Sequence, residues 1–183
     1  MSSARIRIVA RLVAVAALAA MTAGCFQPMY AEHTDGTPGL RERLMGVEVP
    51  PVDKANASRE ARVGVEIRNA LAFKLYGNAT GMAPTHRLVL RFNSGRSSLM
   101  IDPNTALPTS ENYNIDAQFN LVEIATNKSV MTGTTFSRVS YDMPGSYQRF
   151  ARARALRDAE DRAAQEIADN IQTRLASYFA TGT

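Results

Sequence analysis

Hydrophobic positions fall along this chain in three rhythms, and each predicts a different element. From Leu12 to Ala20 every residue is apolar. Arg5, Arg7 and Arg11 lie before or at the edge of that run and the small residues Thr22, Ala23 and Gly24 follow it, which is the layout of a secretory signal. Gly46 to Pro50 alternates briefly and stops at Pro50-Pro51, predicting a short first strand. Val63, Ile67, Leu71 and Leu75 then recur four apart, with Asp53, Asn56 and Ser58 as candidate caps and Gly77-Asn78 as a stop. A helix over Ser58 to Tyr76 is expected, although Val63-Gly64-Val65 in its middle is strand chemistry.

From Thr85 the period switches to two. Leu88, Leu90 and Phe92 oppose Arg87, Val89 and Arg91, as in a strand with one buried side. Asn93 to Ser110, with Gly95, Pro103 and Pro108 around the apolar island Leu99-Met100-Ile101, reads as a long, partly ordered loop. Strict alternation returns from Tyr113 to Leu121, and a turn at Thr126-Asn127-Lys128 leads into Val130 to Tyr141, completing an antiparallel hairpin. After Asp142-Met143-Pro144-Gly145 the period becomes helical again. Ser146 is the expected cap of a helix running to about Phe179, with Phe150, Leu156, Ala163, Ile167, Ile171, Leu175 and Tyr178 along one stripe. The predicted fold is α+β, a two-layer sandwich: a mainly antiparallel sheet of about four strands with two helices packed on one face. Its other face is left open as a partner surface.

The single cysteine, Cys25, closes the signal. Thr22-Ala23-Gly24-Cys25 resembles the lipobox of bacterial lipoproteins, in which the thiol is acylated and becomes the mature N-terminus, although Leu is usual where Thr22 stands. The apolar stretch is shorter than the ~20 residues that span a bilayer, so a lipid anchor is expected rather than a transmembrane helix. The chain then divides into a signal peptide (1–24), a lipidated N-terminus and linker (25–44), and a single α+β domain with a long C-terminal helix (45–183). Phe26, following the cysteine, is not the Asp that retains lipoproteins at the inner membrane of some bacteria, which points to the outer membrane, facing the periplasm.

Charge changes its meaning once the signal is set aside. The whole chain carries a formal +4, but three arginines and no acidic residue lie in the first 24 positions, leaving +1 on the remaining 159 residues. Nucleic acid is therefore not an expected partner. One cysteine forms no internal disulfide, and neither His33 nor His86 stands in a metal-binding spacing, so no metal or cofactor is expected. There is no GxSxG, P-loop or dinucleotide fingerprint. Asp158, Glu160, Asp161 and Glu166, interleaved with Arg154, Arg157 and Arg162, read as the solvated face of the last helix. An enzyme is not expected. In a meander Arg96 shares one end of the sheet with Arg149 and Arg152, while Lys128 falls at the other. These guanidinium groups beside Leu99 and Met100 form a candidate site for a phosphorylated, acylated ligand, set against their reading as ordinary surface arginines.

Cys25-Phe26-Gln27-Pro28-Met29-Tyr30 is similar to the Cys-Gly-Phe-x-Pro-Leu-Tyr opening of the lipopolysaccharide-assembly lipoproteins, the LptE family, in its alphaproteobacterial form. Tyr141-Asp142-Met143-Pro144, the run Arg157 to Ala164, and Arg174-Leu175 carry the resemblance to the C-terminus, though the Gly after the cysteine is absent. The likeness implies a non-enzymatic partner of the outer-membrane β-barrel that places lipopolysaccharide in the outer leaflet. In that family the lipoprotein sits inside the barrel as a plug, assists its assembly and binds lipopolysaccharide through basic residues. Two other classes stay open from sequence: an auxiliary lipoprotein of an ABC-type lipid transporter, and a hydrolase that lacks a visible nucleophile and base.

Overall fold

The computed structural model describes residues 38–77, 82–143 and 148–181. Cys25, the signal and the Ser146 cap lie outside them. Seven elements follow in order: α1 (Leu40–Met45), β1 (Val47–Glu48), α2 (Arg59–Tyr76), β2 (His86–Ile101), β3 (Pro108–Glu123), β4 (Lys128–Asp142) and α3 (Arg149–Thr181). The sheet order is β1-β2-β3-β4. Helix α2 carries the chain from β1 across to β2, and those two strands are parallel; the other pairs are antiparallel and joined by short connections. The two-layer α+β sandwich expected from the sequence is the architecture of this chain, with a third, short helix added.

The period-two pattern places one complete set of side chains under the helices. Leu88 pairs with Leu121, Leu90 with Phe119 and Phe92 with Ala117, all buried. Ile115 and Tyr113, opposite Ser137 and Val139, continue this layer. Val63, Ile67, Leu71 and Leu75 of α2 close over it together with the small, fully buried stripe Ala159, Ala163, Ile167, Ile171 and Leu175 of α3. Each large side chain buried here contributes about 1.5–3 kcal/mol.

Local chemistry fixes where α2 begins and ends. The Ser58 hydroxyl accepts from the Ala61 N–H at 2.9 Å, and Gly77, at φ +60°, donates its N–H to the Phe73 carbonyl at 2.8 Å. Gly64 interrupts the apolar stripe because the backbone there nearly touches its neighbours. A Cβ at that position would lie 3.2 Å from the Val52 Cβ and 3.4 Å from the Phe92 ring.

Three expectations need correction. Leu40–Leu44, read as the end of a linker, is helical, because Leu40 and Leu44 sit four apart and bury one face; Arg43 Nη1 also donates to the Phe179 carbonyl at 3.1 Å. Asn93 to Ser110 is mostly strand rather than loop. Asn93 pairs with Asp116 and the ladder continues to Ser98 opposite Glu111, then past a bulge to Ile101 opposite Pro108. Only residues 102–107 form the connection, closed by Asp102, whose carboxylate accepts from the Asn104 N–H at 2.8 Å. No apolar alternation marks the strand extension, because neither face of it is buried. Phe150, placed on the buried stripe of α3, is 90 % exposed: the helix starts before the sheet and α2 provide anything to cover it.

Candidate functional site

Two surfaces concentrate side chains that the core does not use. One is the end of the sheet where β2 turns into β3. Leu99, Met100, Ile101 and Leu107 are each more than half exposed around that hairpin tip. The bulge between Ser98 and Met100 lets neighbouring apolar side chains protrude together instead of alternating. Arg96 lies behind the tip, opposite Tyr113, and its guanidinium bonds the Tyr141 hydroxyl, which donates to Glu111 Oε2 at 2.5 Å. Burial pushes the Tyr141 phenol above its ordinary value; the neighbouring Glu111 carboxylate adds to the rise and Arg96 opposes it.

The last helix begins at the same end. Met143, just after β4, donates its N–H to the Thr109 carbonyl beside the tip, and the Arg152 guanidinium rests 3.8 Å from the Met143 sulfur. Arg149 is exposed at the first turn of α3. The structure therefore brings Arg96, Arg149 and Arg152 to one end as the meander required. They are not equivalent, since Arg96 is engaged with Tyr141 and Arg152 is half-buried, leaving Arg149 the freest of the three.

Four further arginines gather nearby, around a cleft of about 510 Å³ between the starts of α2 and α3. Arg59 and Arg62 come from one helix and Arg154 and Arg157 from the other, with Phe150 and Leu156 between them. The cleft reaches Glu160, only 2 % exposed, which both Arg59 (3.4 Å) and Arg62 bind. The acidic run on α3 is thus not wholly solvated. The Asp158–Arg162 pair does lie on the wet face, at 2.8 Å, whereas Glu160 points inward to α2. Sequence alone did not join these arginines, because nothing in either helix states which turns of the other it meets.

The second surface is the open sheet face, whose side chains are mostly Asn, Gln, Thr, Ser, Asp and Arg. The cross-strand rows Asn93–Asp116–Phe136 and Arg91–Gln118–Thr134 lie at its centre. The Pro50–Lys54 segment walls this region along the β2 edge and makes it a trough of about 750 Å³. Phe136, 59 % exposed, is the aromatic residue of these rows, with the Arg138 guanidinium 5.0 Å from its centroid. Its signal was present in the sequence: Thr134, Phe136 and Arg138 alternate with buried Thr135, Ser137 and Val139.

No group of His, Cys, Asp or Glu among the described residues has the geometry to hold a metal ion. No described helix is long and apolar enough to cross a membrane.

The family model for LptE, described as lipopolysaccharide-assembly, matches residues 44–175. Among solved structures the chain is similar to a Caulobacter crescentus CB15 protein described as a lipoprotein, at 22 % identity and a TM-score of 0.63, covering 80 % of this chain and 98 % of that one. It is also similar to the rare lipoprotein B of Shewanella oneidensis, at 16 % identity and a TM-score of 0.51, covering 74 % and 96 %. At these identities both likenesses speak for the fold. No curated protein matches the chain.

Proposed function

Because this chain belongs to the LptE lipopolysaccharide-assembly family, we propose that it is an outer-membrane lipoprotein, acylated at Cys25, that scaffolds and plugs the β-barrel of the lipopolysaccharide translocon. The observation that carries this reading is the family match across nearly the whole described body, from α1 to the last turns of α3. The surface chemistry agrees with it. A lumen has polar walls, and a domain whose open sheet face bears amides, hydroxyls and balanced charge suits that setting better than a lipid-facing one. The role is structural and non-catalytic.

The hairpin end supports contact with lipopolysaccharide. Arg149, with Arg96 and Arg152 behind it, offers guanidinium groups for phosphates, while Leu99 and Met100 meet acyl chains. Pull-down of the tagged, lipidated chain from mild detergent tests the reading: an outer-membrane barrel is expected among the partners identified by mass. Recovery of an inner-membrane permease without the barrel overturns it in favour of a transporter accessory. Intact mass of the same material reads acylation at Cys25. Arg96→Ala with Arg149→Ala is expected to weaken lipopolysaccharide binding, and unchanged affinity removes those residues from the site.

A further inference from the structure

We infer that the trough on the open sheet face is a saccharide site, taking an uncharged or weakly charged oligosaccharide by stacking on Phe136 and hydrogen bonding to Arg91, Asn93, Asp116 and Gln118. This deepens the reading above: it assigns the sugar portion of the same glycolipid to a surface distinct from the arginine-rich end.

Three observations converge on it. The trough is concave and of a size that holds a small ligand, about 750 Å³ where ligand sites usually fall in the range of about 300–1,000 Å³. Its charge is balanced. Lys54 and Arg91 face Asp53 and Asp116, so neither a polyanion nor a polycation is favoured, and the many exposed donors and acceptors disfavour an acyl chain. Finally, the side chains of Arg91, Asn93, Asp116 and Gln118 form no hydrogen bond or ion pair with any other described residue. Four planar polar groups therefore present paired donors and acceptors outward, the geometry that vicinal hydroxyls satisfy.

Phe136 adds what a water-filled polar surface does not need. Its ring stands in the row Asn93–Asp116–Phe136, with the Arg138 guanidinium 5.0 Å from its centroid. A pyranose laid on that ring places its apolar C–H face on the aromatic surface and its equatorial hydroxyls within reach of Asp116 and Asn93. The wall of Pro50–Lys54 is held by Lys54 Nζ, which donates to the Phe92 carbonyl at 2.6 Å and lies 4.7 Å from the Phe92 ring centroid. The floor of the trough is thus strand backbone paired continuously from β2 through β3 to β4.

Titration calorimetry on the full lipidated chain in mild detergent, with maltopentaose and with the deacylated saccharide of lipopolysaccharide before and after dephosphorylation as probes, tests the assignment. Saccharide binding is expected, weakened about tenfold or more, or roughly 1.4 kcal/mol, by Phe136→Ala and by Asp116→Ala. Ser140→Ala, on the same face outside the trough, is expected to leave it unchanged. All three positions are exposed, and circular dichroism melts of the variants should coincide with the parent. The inference is overturned if neither probe binds, if Phe136→Ala and Asp116→Ala bind as the parent does, or if binding requires phosphate and is lost on Arg149→Ala instead. Co-purification of the barrel is read separately, so a saccharide failure with the barrel present refutes the trough alone.

Discussion

Glu160 is a carboxylate 2 % exposed to solvent, held between two arginines of the neighbouring helix, and its dependence on them is measurable. Replacing Arg62 by Met keeps the aliphatic stem and removes the closer partner. What remains is Arg59, whose side chain is 49 % exposed and 3.4 Å away, and this lone pair is partly screened. Stranding a fully buried charge costs about 3–5 kcal/mol. With one exposed partner still in place, the loss should be about 2–3 kcal/mol. For a denaturant slope of about 2 kcal/mol/M in urea, the midpoint falls by roughly 1–1.5 M with the slope unchanged. The sign of the second substitution is the sharper test. Adding Glu160→Met to Arg62→Met removes the stranded charge and fills its space with an apolar side chain, so the double variant should recover at least half of the loss. If Arg62→Met costs under about 0.5 kcal/mol, the level expected of a surface pair, the claim that Glu160 ties α2 to α3 electrostatically is refuted. The same follows if the double variant is less stable than the single one.

Two other perturbations read different layers of the structure. A Cβ on Gly133 would lie 2.5 Å from the tip of the buried Phe119 ring across the strand, so Gly133→Ala should cost about 1–3 kcal/mol by forcing that ring aside, with the thermal midpoint as readout. Burial lowers the pKa of His86, which packs edge-on against Phe179 with a ring separation of 5.2 Å, while Glu123 pulls the other way. Neutral His86 therefore contributes stability that is present above its ordinary pKa near 6.5 and is lost as pH falls through the lower folded value. His86→Asn should flatten the stability profile in that window, as measured by urea midpoints at successive pH values.

Where burial was one-sided, the sequence was easy to read. Leu88 to Phe92 and Tyr113 to Leu121 alternate because one side of each strand lies under α2 and α3, and Ser58 and Gly77 mark α2 because backbone groups at its ends need partners. Where both sides of a strand meet solvent, as from Ser94 to Ile101, periodicity carries no message and the ladder is invisible. The same limit applies to Phe150, since an apolar residue at the right spacing shows nothing of whether another element reaches far enough to cover it. The end-sharing of Arg96, Arg149 and Arg152 followed from strand order alone. The convergence of Arg59, Arg62, Arg154 and Arg157 required knowing how two helices cross, and the trough required the path of Pro50–Lys54 along the β2 edge.

Helix α1 packs beside the C-terminal turn of α3, whereas the protruding hairpin accompanies that helix's first turns. Between them lies a 33-residue helix, roughly 50 Å of rigid rod. The two ends of α3 are consequently unlike: a contact made beside α1 lies a full helix length from any made at the apolar hairpin, and a substitution at one end leaves the surface at the other intact.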